Sequence, residues 1–246
     1  MPEYPMTQSS RGTPDSTSSQ ASRGLVHIRP YQLLGIPDGY EEQEEIKFFM
    51  PPAQGAGSLS TLESVVLLKL LRCVQPDYLF EFGTYKGYTT RLLLENLPAS
   101  AAEGERIYTL DLPELDAVTF QGSDKALAQE ALGFVRKYMS CARKDLVRQL
   151  LQDSMTLDAQ AYAQRFQYIF VDANHELSYV RKDTENAFQM LADSPACIIW
   201  HDYGNPQFPE LTQYLEELAR EVPLYHVENT MLVFHLLGKD VLPRNA

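Results

Sequence analysis

Six side chains able to hold charge or move a proton fall at or just beyond the ends of apolar runs: the carboxylates Glu81, Asp111, Asp172 and Asp202 and the imidazoles His175 and His201. The runs are Tyr78-Leu79-Phe80, Ile107-Tyr108-Thr109-Leu110, Tyr168-Ile169-Phe170-Val171 and Ala196-Cys197-Ile198-Ile199-Trp200. Short apolar runs of this kind read as strands of a parallel sheet buried on both faces. Acids at the ends of three of them put Glu81, Asp172 and Asp202 on one rim, where open α/β sheets bind their ligands. Such a rim suits a ligand carrying positive charge and hydroxyls. Asp111, closing a further strand, is placed to accept both hydroxyls of a ribose. His175 follows Asp172 by three residues and has a reference pKa near neutrality. It is the expected general base, oriented by Asp172, with His201 in reserve.

Between the first strand and the next helical segment runs Glu81-Phe82-Gly83-Thr84-Tyr85-Lys86-Gly87. Glycine lets the backbone turn sharply and lets a ligand lie against it. A dinucleotide fingerprint needs a second glycine two residues after the first, for the pyrophosphate, and here that position is Tyr85. No Gly-Lys-Ser/Thr run signals a mononucleotide phosphate loop either. A nicotinamide dehydrogenase is therefore disfavoured, and a non-catalytic binding or scaffold protein of the same fold stays open beside an enzyme.

These residues need a sheet to position them, and the chain is long enough to build one. At 246 residues with 44% apolar content it can fill the core of one α/β domain. A formal net charge of −12 argues against a nucleic-acid or anionic membrane surface, each of which needs a basic stripe. No segment has the length of a membrane span or the layout of a secretory signal. Cys73, Cys141 and Cys197 have no metal-like spacing, and Cys73 and Cys197 read as small core residues of a cytoplasmic protein. Residues 1–23 are Ser-, Thr-, Gln- and Pro-rich and are expected to be disordered. Residues 24–58 read as a cover segment, and 59–246 as the domain proper. Ser60-Thr61-Leu62-Glu63 is a capping box opening a largely apolar helix. Residues 113–143 form a helix-prone connection, and Leu146–Leu151 reads as another strand, closed by Gln152-Asp153-Ser154. Residues 178–192 and a segment opened by Pro209 have helical periodicity. Leu224–Val227 and Met231–Phe234 are expected to pair as an antiparallel hairpin at a sheet edge. His27, His226 and His235 lie off the rim and read as structural.

Taken together, Glu81-x-Gly83-x-x-x-Gly87, Asp172-x-x-His175 and His201-Asp202-Tyr203 resemble the Rossmann-like S-adenosylmethionine-dependent methyltransferases, over roughly residues 60–237. The resemblance implies a three-layer sandwich around a seven-stranded, mostly parallel sheet with an antiparallel C-terminal hairpin. It implies a small-molecule acceptor, methylated at oxygen. It places Glu81, Gly83, Thr84, Tyr85 and Gly87 along the methionine and ribose, Asp111 and Leu112 at the ribose, Asp153 and Ser154 at the adenine, and Asp172 near the methyl. Catechol-type members hold magnesium with an Asp and an Asp-Asn pair. Here the matching set is Asp172, His201 and Asp202, so the Asn ligand is missing. The turn before Ala196 also departs, with Ser194-Pro195 where the family has Pro-Gly-Gly. Assembly state is left open, a homo-oligomer included.

Overall fold

The computed structural model describes residues 24–39, 45–50, 57–113 and 122–241. The expected disordered tail (1–23) lies outside them, as do 114–121 of the connection after the second strand of the rim.

Five strands form the parallel part of the sheet: β2 (Leu79–Phe82), β3 (Ile107–Asp111), β5 (Tyr168–Val171) and β6 (Ala196–Trp200), buried and largely apolar, and β4 (Val147–Leu151), a more exposed strand outside β3. Before them comes β1 (Val26–Ile28), and after them β7 (Tyr225–Val227) and β8 (Val233–Leu237). The order across the sheet is β1-β7-β8-β6-β5-β2-β3-β4. The mostly parallel sandwich with its antiparallel hairpin is as expected, but the sheet has eight strands, not seven. The extra strand is β1, three residues paired in parallel with β7. Val26-His27-Ile28 is too short to show a periodicity, and it gains its ladder from β7. The hairpin also sits differently from expectation. β8 lies inside the sheet between β6 and β7, and β1 takes the edge.

Alternate residues of each strand feed two cores, one per sheet face. Leu79, Ile107, Tyr168, Phe170 and Ile199 pack with α1 (Pro30–Leu34), α2 (Thr61–Val74) and α3 (Tyr88–Asn96). Phe80, Phe82, Ile169, Val171 and Ile198 pack with α5 (Leu177–Met190) and α6 (Pro209–Leu218). Between β3 and β4 the chain forms α4 (Gly122–Leu132) and short 3-10 turns. Among the described residues no helix is long and apolar enough to cross a membrane. Of the segment read as a cover, β1 and α1 extend the sheet and pack near α2. Lys47 and Phe49 meet Asn96 and Arg91 of α3, and Gly57 and Ser58 reach the cavity described below. His235 Nδ1 lies 2.9 Å from the Pro223 carbonyl, and the Nδ1 atoms of His27 and His226 are 2.8 Å apart, away from the cavity.

The capping box is present at the start of α2 and does more than cap. Glu63 Oε2 accepts the Ser60 N–H at 2.7 Å, and Ser60 Oγ accepts the Glu63 N–H at 3.2 Å. Glu63 Oε1 accepts the Met231 N–H at 2.8 Å, fastening the helix to the turn before β8. Both oxygens of one buried carboxylate thus hold backbone donors from distant parts of the chain. Glu63→Ala leaves two donors without partners and should lower the free energy of unfolding by about 2–4 kcal/mol, measured by urea denaturation.

Candidate functional site

The strand sequence runs outward from β2 to β4 on one side and from β5 to β6 on the other. The connection therefore reverses between β2 and β5, and a crevice opens beyond the carboxyl ends of these strands. In it lies a cavity of about 700 Å³.

The turn after β2 forms its floor. Gly83 has φ +91° and Gly87 +72°, and Tyr85 between them is also left-handed at +46°. A Cβ on Gly83 would stand 2.0 Å from the Asp172 carbonyl oxygen, because the Asp172 N–H donates to the Phe82 carbonyl at 3.0 Å and draws the two strand ends together. Gly87 caps α3, and a Cβ there would meet Tyr138 at 2.9 Å.

Of the expected site residues, Gly83, Thr84, Tyr85, Asp111, Leu112, Asp153, Ser154, Asp172, His175, His201 and Asp202 all line the cavity. Glu81 and Gly87 do not. Glu81 is fully buried beneath the turn, where its Oε2 accepts Thr90 Oγ1–H at 2.5 Å and Thr109 Oγ1–H at 2.7 Å. Thr84 continues the network through Thr109 and Gln149. Glu81 thus braces the turn from below. Asp111 accepts the Leu112 N–H at 2.9 Å, and its Oδ2 lies 3.2 Å from Arg136 Nη2; burial raises its pKa. Asp153 accepts the Met155 N–H, and Asn186 holds the Ser154 carbonyl.

The opposite end of the cavity is a chain of alternating acids and imidazoles. His175 Nδ1 lies 2.9 Å from Asp124 Oδ1, and its Nε2 lies 2.8 Å from Asp202 Oδ2. His201 Nδ1 lies 3.0 Å from the same Asp202 oxygen and 3.2 Å from Asp172 Oδ1, and its Nε2 faces Glu63 Oε1 at 3.4 Å. Burial alone would lower the pKa of His175, but the bonds to Asp124 and Asp202 outweigh it and hold the value at about 10. His201 is likewise raised, through Asp172, Asp202 and Glu63 against its burial. Asp202 is lowered by the two imidazoles. Neither nitrogen of His175 is free to take a proton from a ligand, which argues against the base role expected for it. The expected magnesium set of Asp172, His201 and Asp202 does come together. Its donor chemistry does not match, since magnesium takes oxygen ligands in a near-ideal octahedron.

Sequence reasoning missed Asp124, Glu63 as a site residue, and Phe208, whose ring stacks on His175 with centroids 4.0 Å apart. Asp124 sits in the connection whose details carried no periodic signal. Glu63 was recognised only as a cap. Phe208, just before Pro209, carried no sequence signal of its own. The helix α4 also lines the cavity and is fixed at its far end by Glu130, which accepts Tyr85 Oη–H at 2.7 Å and pairs with Lys86 Nζ at 2.6 Å.

Residues 80–203 match the profile of the methyltransferase domain family. Among solved structures, a Staphylococcus aureus protein provisionally named a caffeoyl-CoA O-methyltransferase is 15% identical, with 73% of this chain and 84% of that one covered and a TM-score of 0.51. The Podospora anserina methyltransferase PaMTH1, bound to SAH, is 20% identical over 72% and 78% of the two chains with a TM-score of 0.48. The Streptomyces achromogenes O-methyltransferase TomG, in complex with SAM, is 18% identical over 74% and 82% with a TM-score of 0.47. No curated protein matches the sequence.

Burial raises the Glu81 carboxyl to about 8; the Thr109 and Thr90 hydroxyls pull it down, and the Asp172 and Asp111 charges push it up. Its folded value lies above the ordinary one of 4.5. The stabilisation from its retained proton is therefore complete below pH 4.5 and is lost as pH rises through 8. In urea midpoints measured at pH 5 and pH 8.5, Glu81→Gln should show a smaller fall than the wild type.

Proposed function

The chain belongs to the methyltransferase domain family, and from that premise we propose that it transfers the methyl group of S-adenosylmethionine to a hydroxyl of a small molecule. The observation that carries the reading is the crevice at the β2/β5 switch point, floored by a glycine turn unsuited to pyrophosphate and flanked by Asp111. In this reading the adenosyl part lies along Gly83 to Tyr85, with its ribose hydroxyls on Asp111 and its adenine beside Asp153 and Ser154. Arg136 then shares Asp111 with the ribose. Asp172 would lie near the reacting methyl.

The transfer is an in-line displacement: the acceptor oxygen forms a bond to the methyl carbon as the carbon–sulfur bond breaks, and the sulfur keeps that electron pair. Much of the rate comes from holding the two partners in line. The acceptor hydroxyl must also give up its proton. Asp172, whose carboxylate faces the cavity and is hydrogen-bonded to His201, is the group best placed to receive it. His175 and His201 act by orienting Asp202 and Asp172, and Phe208 keeps the His175 ring in its plane.

The acceptor's charge follows from the lining. Among the described residues the cavity wall carries Asp111, Asp124, Glu130, Asp153, Asp172 and Asp202 and no lysine or arginine. The acceptor is therefore uncharged or cationic. The buried, unpaired Cys73, Cys141 and Cys197 fit a reducing cytoplasmic setting.

Calorimetry should show binding of S-adenosylmethionine and none of NAD; the reverse result sinks the proposal. Asp111→Ala should weaken S-adenosylmethionine about 10- to 100-fold, the worth of a hydrogen bond to a charged group. Offered a coenzyme A thioester and the corresponding methyl ester, the enzyme should favour the ester in kcat/KM by at least about tenfold, since the thioester's phosphates find no cation to offset their desolvation.

A further inference from the structure

We propose that Asp183 of α5 is a positioning residue for the adenine end of the cavity. It holds the Ser154 hydroxyl so that its oxygen accepts a hydrogen bond from the 6-amino group of the bound nucleoside. This role rests on the reading of the cavity as the seat of S-adenosylmethionine, and within it Asp183 and Ser154 select 6-amino over 6-oxo purines.

A polar stripe of α5 faces the turn after β4. Tyr179, Asp183 and Asn186 fall at i, i+4 and i+7, on one side of the helix. Tyr179 Oη donates to Asp153 Oδ2 at 3.3 Å, and Asn186 Nδ2 donates to the Ser154 carbonyl at 3.3 Å. Asp183, between them, has the Ser154 hydroxyl as its neighbour. Val180, Ala187 and Met190 of the same helix pack into the apolar core. The stripe therefore takes up buried surface that apolar side chains could have filled.

Asp183 is a poor residue for folding alone. It is fully buried, and among the described residues neither of its carboxyl oxygens meets a donor at full hydrogen-bond distance and angle. Burial raises its pKa to about 7; the Ser154 hydroxyl pulls it down, and the Asp153 charge pushes it up. A buried carboxyl so thinly partnered destabilises the native state. Leucine, of nearly the same shape, would suit these surroundings without that cost. Buried polar groups left so incompletely bonded call for a reason, and a nearby binding site is a common one.

What Asp183 supplies is a direction for one proton. Ser154 lines the cavity. Both oxygens of its neighbour Asp153 are already engaged, Oδ1 by the Met155 N–H at 2.9 Å and Oδ2 by Tyr179. A serine hydroxyl by itself is ambivalent, able to donate or accept. With its proton turned toward Asp183, only its lone pairs remain for the ligand. They match an amino group and repel a carbonyl, and a site built to bond one group rejects the analogue that lacks it.

S-adenosylhomocysteine and S-inosylhomocysteine are the probes, since they differ only in the 6-substituent of the base and the ring proton that goes with it. Titrated calorimetrically into the full chain, the adenosyl compound should bind about 10- to 100-fold more tightly. Asp183→Leu should cut that preference about tenfold. At pH 8 the same variant should melt no lower than the wild type. It lacks a carboxyl whose stabilising proton is lost as pH rises from the ordinary value of 3.8 through about 7. Asp183→Ala replaces it should leucine not be accommodated. Asp183→Asn still offers Ser154 an oxygen and should keep the preference. Ser154→Ala should lose it, and adding Asp183→Leu should then change nothing further. Equal weakening of both compounds in the leucine variant, with their ratio unchanged, marks Asp183 as a structural brace and overturns the proposal. A wild-type protein that binds the two alike also overturns it. A wild-type protein that binds neither removes the methyl-transfer reading itself.

Discussion

Everything at this site depends on how closely two strand ends approach each other. The Asp172 carbonyl lies where the β-carbon of any residue other than glycine at position 83 would have to be. That contact is possible only because residue 83 has no side chain and adopts a left-handed φ. It brings the glycine turn to within a peptide's thickness of Asp172, whose carboxylate lines the cavity. A substitution at Gly83 would do more than strain a turn. It would push β2 and β5 apart at the switch point and change every distance in the crevice.

Around that contact the chain concentrates charge, most of it buried or half-buried, and sets it against specific partners. Glu81 is neutralised by holding its proton under the turn. Asp111 meets Arg136, and Glu130 meets Lys86. Glu63, Asp172, Asp202 and Asp124 surround two imidazoles. Burying ions is costly unless they are paired and hydrogen-bonded, so a cluster of this density is not an incidental product of folding. It places polar side chains from α2, α4, β5 and β6 in fixed relation, at some cost in stability.

Much of this was legible in the sequence because burial on both faces leaves a plain trace. Tyr168–Val171 and Ala196–Trp200 are apolar without alternation, Leu79–Phe82 is broken only by Glu81, and a parallel strand is the simple explanation. The acids that follow them were then placed on one rim by topology alone. What could not be read has equally physical reasons. Asp124 reaches the site from a connection with no periodicity, across 51 residues of chain. Glu63 satisfied a local rule so well that its second oxygen, bonded 168 residues away at Met231, left no sign. Glu81 reads as ligand-facing because the motif cannot say on which side of its strand the carboxylate lies; the pleat turns it into the core. β1 is three residues long and takes its identity from its neighbour.

The tethering of α4 has a consequence for how proteins of this shape diversify. The helix that lines one side of the cavity also carries the carboxylate that holds His175, and its other end is hooked to the glycine turn through Glu130. The shape of the cavity and the hold on His175 therefore share one piece of chain. Exchanging this connection for that of a relative, in the laboratory or in evolution, would transplant the partner of His175 with it. New acceptors would be reached more readily by point changes along the inner face of α4, at positions such as Leu127, than by swapping the segment whole.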